Sequence, residues 1–278
     1  MMLQLPSLKE TVERYELLAK KSLGQNFLLD KNITDKIIRS SLEKQGKDSF
    51  ANEMVVEVGP GPGGLTRSIL EAEPFQLTVI EMDSRCIQIM NEIKTITGDK
   101  LNIVEGDALQ YDFSGMDKTK KCNIVSNLPY NISVPLLIKW LKNMQDFDSL
   151  TLMFQKEVAE RIIAEAGNKN YGRLSVLAQI TCQIKTLFNI NPSCFVPAPK
   201  IWSTVLLFRP LQNIPNAQIL QKVEKVTEAA FGQRRKMLRQ SLKNIPNITE
   251  ICQQCAIDMT QRAEDLSPQK YLELAKKL

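Results

Sequence analysis

Short apolar runs alternate with helical patterns through the first part of this chain, and this alternation constrains the fold more than any other feature. The runs predict strands over residues 54–58, 76–81, 101–105, 122–126 and 150–154. Helices are predicted between most of these strands, where apolar residues recur every three or four positions. Strands that alternate with helices form a mostly parallel sheet with helices on both faces, joined by right-handed crossovers. We therefore predict an α/β fold.

The pattern changes in the last 110 or so residues. Two late strands, over residues 184–190 and 202–208, have no helix between them, which predicts a hairpin and an antiparallel strand at the sheet edge. Helical patterns then continue to the end of the chain. We predict one large domain over residues 1–209, with a helical extension at its N-terminus, and a small all-helical domain over residues 210–278.

The chain contains no histidine, which restricts the chemistry open to it. Ser-His-Asp and Cys-His catalysis and histidine general bases are excluded. The six cysteines are scattered, a distribution typical of reduced thiols in a cytosol-like compartment. A lone C-x-x-C pair at Cys252 and Cys255 does not make a zinc site, so we predict no metal. No apolar run approaches the roughly 18 residues of a membrane span, and we expect a cytoplasmic protein.

Three successive strands end in residues that suit a nucleotide. Gly59 and Gly61 follow the first strand, where a glycine-containing turn lets the backbone approach a ligand at a helix N-terminus. Glu81 ends the second strand, where a carboxylate accepts both hydroxyls of a ribose. Asp107 follows the third and is placed to accept from an adenine amine. A solvated strand end is the alternative for each acid alone. Together they predict a pocket for an adenosine-containing cofactor, either a nicotinamide dinucleotide or S-adenosylmethionine.

The fourth strand runs into Asn127-Leu128-Pro129-Tyr130. These residues combine an amide oxygen that accepts hydrogen bonds, a fixed backbone bend and a flat ring on which a base can stack. An ordinary strand-to-helix turn is the alternative, since Asn and Pro are common in turns. Because the carboxyl ends of parallel strands meet at one edge of a sheet, we expect this loop beside the cofactor pocket.

Motifs spaced along nearly the whole chain carry a family resemblance. They lie at residues 21–28, 57–61, 106–108, 127–133, 155–161, 171–176, 195–200 and 231–236. In this order they resemble the ribosomal RNA adenine dimethyltransferases, which modify two adjacent adenosines near the 3′ end of small-subunit (16S) rRNA. The family usually has an acid or another small polar residue where this chain has Trp202.

The resemblance implies a fold, a cofactor and its contacts. The fold is the Rossmann-like sheet of the class I S-adenosylmethionine-dependent methyltransferases, mostly parallel with one antiparallel edge strand. The implied contacts of S-adenosylmethionine, together with the second glycine of the turn, are Asn26, Leu28, Gly59, Gly61, Glu81, Asp107 and Asn127.

The resemblance also implies a mechanism that needs no strong base. An adenine amine is a poor nucleophile because its lone pair is delocalised into the ring. The Asn127 side-chain oxygen and the Leu128 backbone carbonyl each accept one amine hydrogen, which favours an sp³-like nitrogen aimed at the methyl group. Pro129 fixes the bend, and Tyr130 and Phe195 stack on the target base. For Phe195 the alternative is a core aromatic before a strand.

A basic run late in the chain is the candidate RNA contact. Arg234, Arg235 and Lys236, with Arg239 one helical turn further on, are expected to hold rRNA phosphates. A solvated helix face is the alternative. The implied partners are small-subunit rRNA and the pre-ribosomal particle, with no membrane, and the chain is expected to be a monomer.

Two other functions remain open. The first is a large-subunit rRNA adenine methyltransferase of the macrolide-resistance type, which shares the fold and the four-residue loop. The second is an assembly factor that binds rRNA and makes little use of methyl transfer. The motifs at residues 171–176 and 231–236 favour the small-subunit group, and intact Gly59, Glu81, Asp107 and Asn127 favour a working cofactor site.

Overall fold

The computed structural model describes residues 5–17, 26–117 and 119–278. The strands are β1 (Phe27–Leu28), β2 (Met54–Val58), β3 (Gln76–Glu81), β4 (Leu101–Glu105), β5 (Cys122–Ser126), β6 (Ser149–Gln155), β7 (Cys182–Ile190), β8 (Phe195–Val196) and β9 (Ser203–Pro210). The α-helices are α1 (Leu8–Arg14), α2 (Lys31–Gln45), α3 (Gly64–Glu71), α4 (Ser84–Thr97), α5 (Tyr130–Leu141), α6 (Lys156–Ile163), α7 (Arg173–Thr181), α8 (Ala217–Gly232), α9 (Leu238–Ser241), α10 (Ile248–Gln254) and α11 (Pro268–Lys277).

Seven strands form one sheet in the order β4-β3-β2-β5-β6-β9-β7. The five strands β2 to β6 pair in parallel, so the predicted α/β fold is confirmed. The strand order reverses between β2 and β5, because β3 and β4 extend the sheet to one side and β5 and β6 to the other. In open sheets of this kind the crevice at such a reversal, outside the carboxyl ends of the strands, is where ligands bind.

The predicted hairpin takes up the far side of the sheet. β9 pairs antiparallel with β6 in the register Gln155↔Ser203, and β7 lies beyond it at the edge. The strand that pairs antiparallel with the parallel strands is therefore β9, which is next to the edge strand and not at the edge itself. β9 is buried along most of its length, which suits its apolar composition, whereas the edge strand β7 exposes its polar residues.

Side-chain caps set the ends of the early helices. Ser7 and Glu10 form the capping box that opens α1, with the Ser7 hydroxyl accepting from the Glu10 N–H. The Asp30 carboxylate accepts the N–H of Asn32 and starts α2. Gly46, with φ +69°, ends α2 in the left-handed conformation that favours glycine.

A two-stranded sheet joins distant parts of the chain, and the sequence did not predict it. β1 pairs antiparallel with β8, in the register Phe27↔Val196 and Leu28↔Phe195. The rings of Phe27 and Phe195 and the Leu28 side chain are buried in the core beside the large sheet. This pairing holds the segment that starts at Asn26 in place next to the carboxyl ends of the strands.

The described residues divide into two compact units. The first takes the described residues up to Leu137 together with Asp146–Lys156 and Lys185–Phe208. The second takes Ile138–Gln145, Glu157–Ile184 and Arg209–Leu278. The last division falls between Phe208 and Arg209, and two domains with a boundary between residues 209 and 210 stay a prediction.

An aromatic cluster forms the core of the second unit. The Phe231 ring lies 5.9 Å from the Tyr171 ring and 5.8 Å from the Tyr271 ring, between centroids. The buried Tyr171 and Tyr271 hydroxyls donate to the carbonyls of Leu266 and Ala263. Two of the sequence motifs, at residues 171–176 and 231–236, therefore meet through their aromatic residues. Within the described part of the chain, no helix is both long and apolar enough to cross a bilayer.

Candidate active site

A cavity of about 310 Å³ opens at the carboxyl ends of β2, β3, β4 and β5. Its volume lies within the range of small-molecule sites, roughly 300–1,000 Å³. Every residue predicted to contact the cofactor lines it, as do all four residues of the loop after β5: Asn26, Leu28, Gly59, Gly61, Glu81, Asp107, Asn127, Leu128, Pro129 and Tyr130. Residues scattered over a hundred positions of sequence thus share one cavity. The motif residues 21–25, upstream of Asn26, lie outside the described residues.

The turn after β2 depends on glycine. Gly59 and Gly61 have φ of +67° and +55°, a region that side chains rarely adopt. A Cβ on Gly59 would come 3.4 Å from Pro129 Cδ, and one on Gly61 would come 3.0 Å from the Phe27 ring. The turn therefore lies close against the loop after β5 and against β1, and its backbone forms the cavity wall.

Glu81 is held with its carboxylate facing this turn. One carboxylate oxygen accepts the N–H groups of Met82 and Asp83 at 2.8 and 2.9 Å, and the other accepts the Gly61 N–H at 3.4 Å. Burial nevertheless raises the pKa of Glu81 above its ordinary value. Because the hydrogen bond from Gly61 is long, the second carboxylate oxygen can also accept shorter hydrogen bonds from the hydroxyls of a ligand.

Glu57 is a cavity residue for which the sequence predicted no role, although the motif at residues 57–61 begins with it. It lies in β2, is 1% exposed, and accepts a hydrogen bond from the Thr66 hydroxyl at 2.6 Å. Burial, with nearby Glu81, raises its pKa to about 8. A carboxyl inside an otherwise apolar strand was the signal that could have identified it, since such groups are rarely fully buried without a reason.

Asp107 follows β4 and shapes the next corner of the cavity. Its carboxylate accepts the Leu109 N–H at 2.9 Å, and its backbone carbonyl accepts from Gln110 and Tyr111. The side chain is half-buried. This turn directs the Asp107 carboxylate to the cavity in a fixed position, with one oxygen bonded to the turn.

The Asn127 amide is oriented by a contact with the backbone. Its Nδ2 donates to the Asn26 carbonyl at 3.2 Å, so Oδ1 is the atom the side chain offers as an acceptor. Asn127 is half-buried and Leu128 is buried, both at the cavity wall. Oδ1 is therefore the amide atom left to accept at this wall, and its role toward a substrate amine stays a prediction.

Tyr130 begins α5, and its ring is fixed at the far end. The hydroxyl oxygens of Tyr130 and Ser203 lie 2.7 Å apart, which ties the loop to the start of β9. Burial raises the pKa of Tyr130, so the hydroxyl stays protonated. The half-buried ring borders the cavity, in a position to contact a base there.

Phe195 is not brought to the cavity that the described residues form. Its side chain is 2% exposed and packs in the core through the β1–β8 pair. An enclosed ring has no free face on which a base can stack. The position of Phe195 matches the alternative interpretation, a core aromatic, and stacking by Phe195 would require this ring to leave the core.

Arg234, Arg235 and Lys236 lie in the turn between α8 and α9, whereas Arg239 lies in α9. Arg235, Lys236 and Arg239 are exposed. Arg234 differs from them. Its guanidinium pairs with Glu264 at 2.7 Å and donates to the Lys169 carbonyl at 2.7 Å. Arg234 thus links two segments of the second unit, Glu157–Ile184 and Arg209–Leu278, and the exposed cations of the predicted RNA contact are the other three.

The chain is similar to known proteins over nearly its whole length. The family model described as ribosomal RNA adenine dimethylase matches residues 17–278. A protein of Azorhizobium caulinodans named ribosomal RNA small subunit methyltransferase A is 47% identical over 276 residues, covering 98% of this chain and 92% of the relative. One of the same name from Rhodospirillum rubrum is 43% identical, with the same coverages.

Solved structures show the same fold. A dimethyladenosine transferase from Plasmodium falciparum has a TM-score of 0.72 and 27% identity, covering 88% of this chain and 94% of its own. The 23S rRNA methyltransferase ErmE has a TM-score of 0.66 at 20% identity, covering 91% and 99%. At that identity the likeness to ErmE is a likeness of fold.

Proposed function

The chain belongs to the ribosomal RNA adenine dimethylase family, and on that premise we propose that it dimethylates the N6 amines of two adjacent adenosines near the 3′ end of small-subunit (16S) rRNA. The observation that carries the proposal is the oriented Asn127 amide, which shares one cavity with the glycine turn and Glu81. In this proposal the nucleoside site and the amine-accepting loop would lie side by side in that cavity.

We propose S-adenosylmethionine as the cofactor, and the residues present fit it. Glu81 would accept the ribose hydroxyls, Asp107 the adenine amine, and the backbone around Gly59 and Gly61 would lie against the methionine part. Asn26 and Leu28 close the cavity from β1. When bound, the cofactor supplies an electrophilic methyl group on sulfur.

The chain's own residues then act on the target amine. Asn127 Oδ1 and the Leu128 carbonyl each accept one of its hydrogens, which localises the lone pair on nitrogen and directs it to the methyl group. Tyr130 stacks on the adenine, at about 1–3 kcal/mol for such a contact. The proton lost after transfer needs no strong base, in keeping with a chain without histidine.

Small-subunit rRNA is the proposed substrate, within a pre-ribosomal particle in the cytoplasm, with the enzyme acting as a monomer. The curated relatives at 43–47% identity carry small-subunit names, whereas ErmE resembles the chain in fold alone. The large-subunit alternative is therefore less well supported. The assembly-factor alternative is disfavoured by the complete set of cavity residues.

Transfer of labelled methyl from S-adenosylmethionine tests the proposal. Small-subunit particles that lack the modification should accept about four methyl groups each, two per adenosine, while large-subunit RNA should stay unlabelled. Label in large-subunit RNA alone would overturn the substrate. Tight particle binding without label would favour the assembly factor.

A further inference from the structure

Trp202 is an exposed tryptophan at the active-site edge of the sheet. Its side chain is 46% exposed. Its backbone carbonyl accepts the Lys156 N–H at 2.9 Å, just after the carboxyl end of β6. The next residue, Ser203, contacts the Tyr130 hydroxyl at 2.7 Å. Trp202 is thus one residue from a contact of the cavity loop, although among the described residues it does not line the cavity itself.

The surroundings of Trp202 combine apolar and basic side chains. Val196 and Ile201, on the connection that leads to it, are 53% and 37% exposed. Lys200, two residues before Trp202, is exposed, and so is Lys156, whose N–H bonds the Trp202 carbonyl. An aromatic ring flanked by cations is the arrangement with which proteins hold single-stranded nucleic acid: the ring stacks on a base and the cations contact phosphates.

We propose that Trp202 stacks on the base next to the adenine held in the cavity. The inference rests on the proposed function, because it needs an RNA substrate whose target base is unstacked. The target occupies the cavity beside Tyr130, and the next base along the strand must lie outside the rim. With two adjacent adenosines as substrate, that next base is the other adenine. Trp202 is then a positioning residue that acts on the neighbour of the reacting nucleotide.

A kinetic comparison of variants tests this role. Trp202→Ala should raise the KM for unmodified small-subunit particles about tenfold, within the range expected for loss of one base stack, and leave kcat unchanged. Trp202→Phe should recover most of the loss, because a smaller ring still stacks. The Kd for S-adenosylmethionine should not change in either variant, since Trp202 lies outside the cavity.

Phe75→Ala is the matched control. Phe75 is 52% exposed and precedes β3 at the opposite, amino-terminal edge of the sheet. Loss of this exposed aromatic should leave the KM for particles unchanged. A KM for Trp202→Ala within twofold of wild type would overturn the proposal, as would a Phe variant as defective as the Ala variant.

Fluorescence separates RNA from a ribosomal protein as the partner. The chain has two tryptophans, and the other, Trp140, is 1% exposed. Protein-free small-subunit rRNA should quench the emission of wild type, and it should leave the emission of Trp202→Phe largely unchanged. Equal fractional quenching in the two proteins would overturn stacking on RNA. If the wild-type protein transfers no methyl group to the particles, the proposed function is wrong. The methyl-transfer assay does not depend on the fluorescence measurement, so failure of the proposed function can be distinguished from failure of the Trp202 proposal.

Discussion

At the scale of single residues, the hydrogen bond between Asn127 and the Asn26 carbonyl decides what the amide can do. It commits Nδ2 to the protein and presents Oδ1 as an acceptor. A neutral acceptor aimed at an amine contributes by position and electrostatics, without taking a proton in the way a base does. The role proposed for Asn127 therefore requires no histidine, and the chain has none.

We expect Asn127→Ala to fold normally and to lose about 10²–10³-fold in methyl transfer, the usual effect of removing one such polar group. Single-turnover transfer to small-subunit particles measures the loss. The matched control is Asn143→Ala, which removes an exposed amide whose Nδ2 donates to the Lys139 carbonyl in the last turn of α5. Near-normal turnover in Asn127→Ala would remove Asn127 from the proposed role.

Glu57 gives a prediction on pH. Its pKa is about 8 in the folded protein and 4.5 ordinarily. Between these values the folded protein keeps a proton that the unfolded chain has lost, so the free energy of unfolding falls as pH rises and levels off near pH 8. Glu57→Gln keeps an acceptor for Thr66 but cannot ionise. Urea unfolding from pH 5 to pH 8 should show a smaller decline for Glu57→Gln, by up to a few kcal/mol. Parallel declines in the two proteins would contradict this assignment.

At the scale of elements, α3 and β1 lie in contact at the cavity wall. A Cβ on Gly64, the first residue of α3, would come 2.5 Å from the Leu28 carbonyl oxygen. That oxygen belongs to the backbone of β1 and cannot swing away. The glycine is therefore required by the close approach of the helix to the strand.

Gly64→Ala should lower the free energy of unfolding by about 1–3 kcal/mol and weaken binding of S-adenosylmethionine, because β1 must shift. Calorimetry and urea unfolding measure the two effects. Gly232→Ala, with nothing within 4 Å of the added Cβ, serves as the control and should be nearly neutral. Cofactor affinity equal to wild type in Gly64→Ala would show that β1 tolerates the change.

Elements with strong local patterns could be predicted from sequence, and elements made by distant pairing could not. β2, β3, β4 and β5 were predicted to the residue, since each is a run rich in apolar and β-branched residues. β1 and β8 are two residues each and pair across most of the chain, so neither shows a periodicity. The location of Phe195 depended on that pairing. The ion pair between Arg234 and Glu264 likewise joins residues far apart in the sequence, so the sequence pattern around Arg234 does not predict it.

At the scale of the whole molecule, the net charge of +5 is modest, so binding to RNA depends on where the cations lie. In the second unit, Arg235, Lys236 and Arg239 are exposed, whereas Arg234 is paired with Glu264. We therefore expect replacement of the three exposed residues to affect RNA binding, and replacement of Arg234 to affect mainly stability.

Replacing Arg235, Lys236 and Arg239 together with Ala should weaken rRNA binding and reduce the slope of log K against log salt by about 2, the sum expected for three phosphate contacts. Filter binding at several salt concentrations measures the slope. Arg234→Ala should change the slope less and lower the free energy of unfolding more, because it removes a pair and a carbonyl contact within the unit. An unchanged slope in the triple variant would refute the phosphate contacts.

The hydrogen bond from Asn127 Nδ2 to the Asn26 carbonyl has a consequence for sequence variation within the family. Its acceptor is the main-chain oxygen of residue 26, which every amino acid supplies. As far as the amide's orientation is concerned, no substitution at position 26 can delete that contact. The contact is instead lost through substitutions that disturb the pairing of Phe27 and Leu28 with Val196 and Phe195, because this pairing holds the Asn26 backbone in place. As far as the orientation of Asn127 is concerned, we therefore expect relatives to vary in the side chain at position 26. We also expect substitutions in β1 to occur together with compensating substitutions in β8, some 170 residues later in the chain.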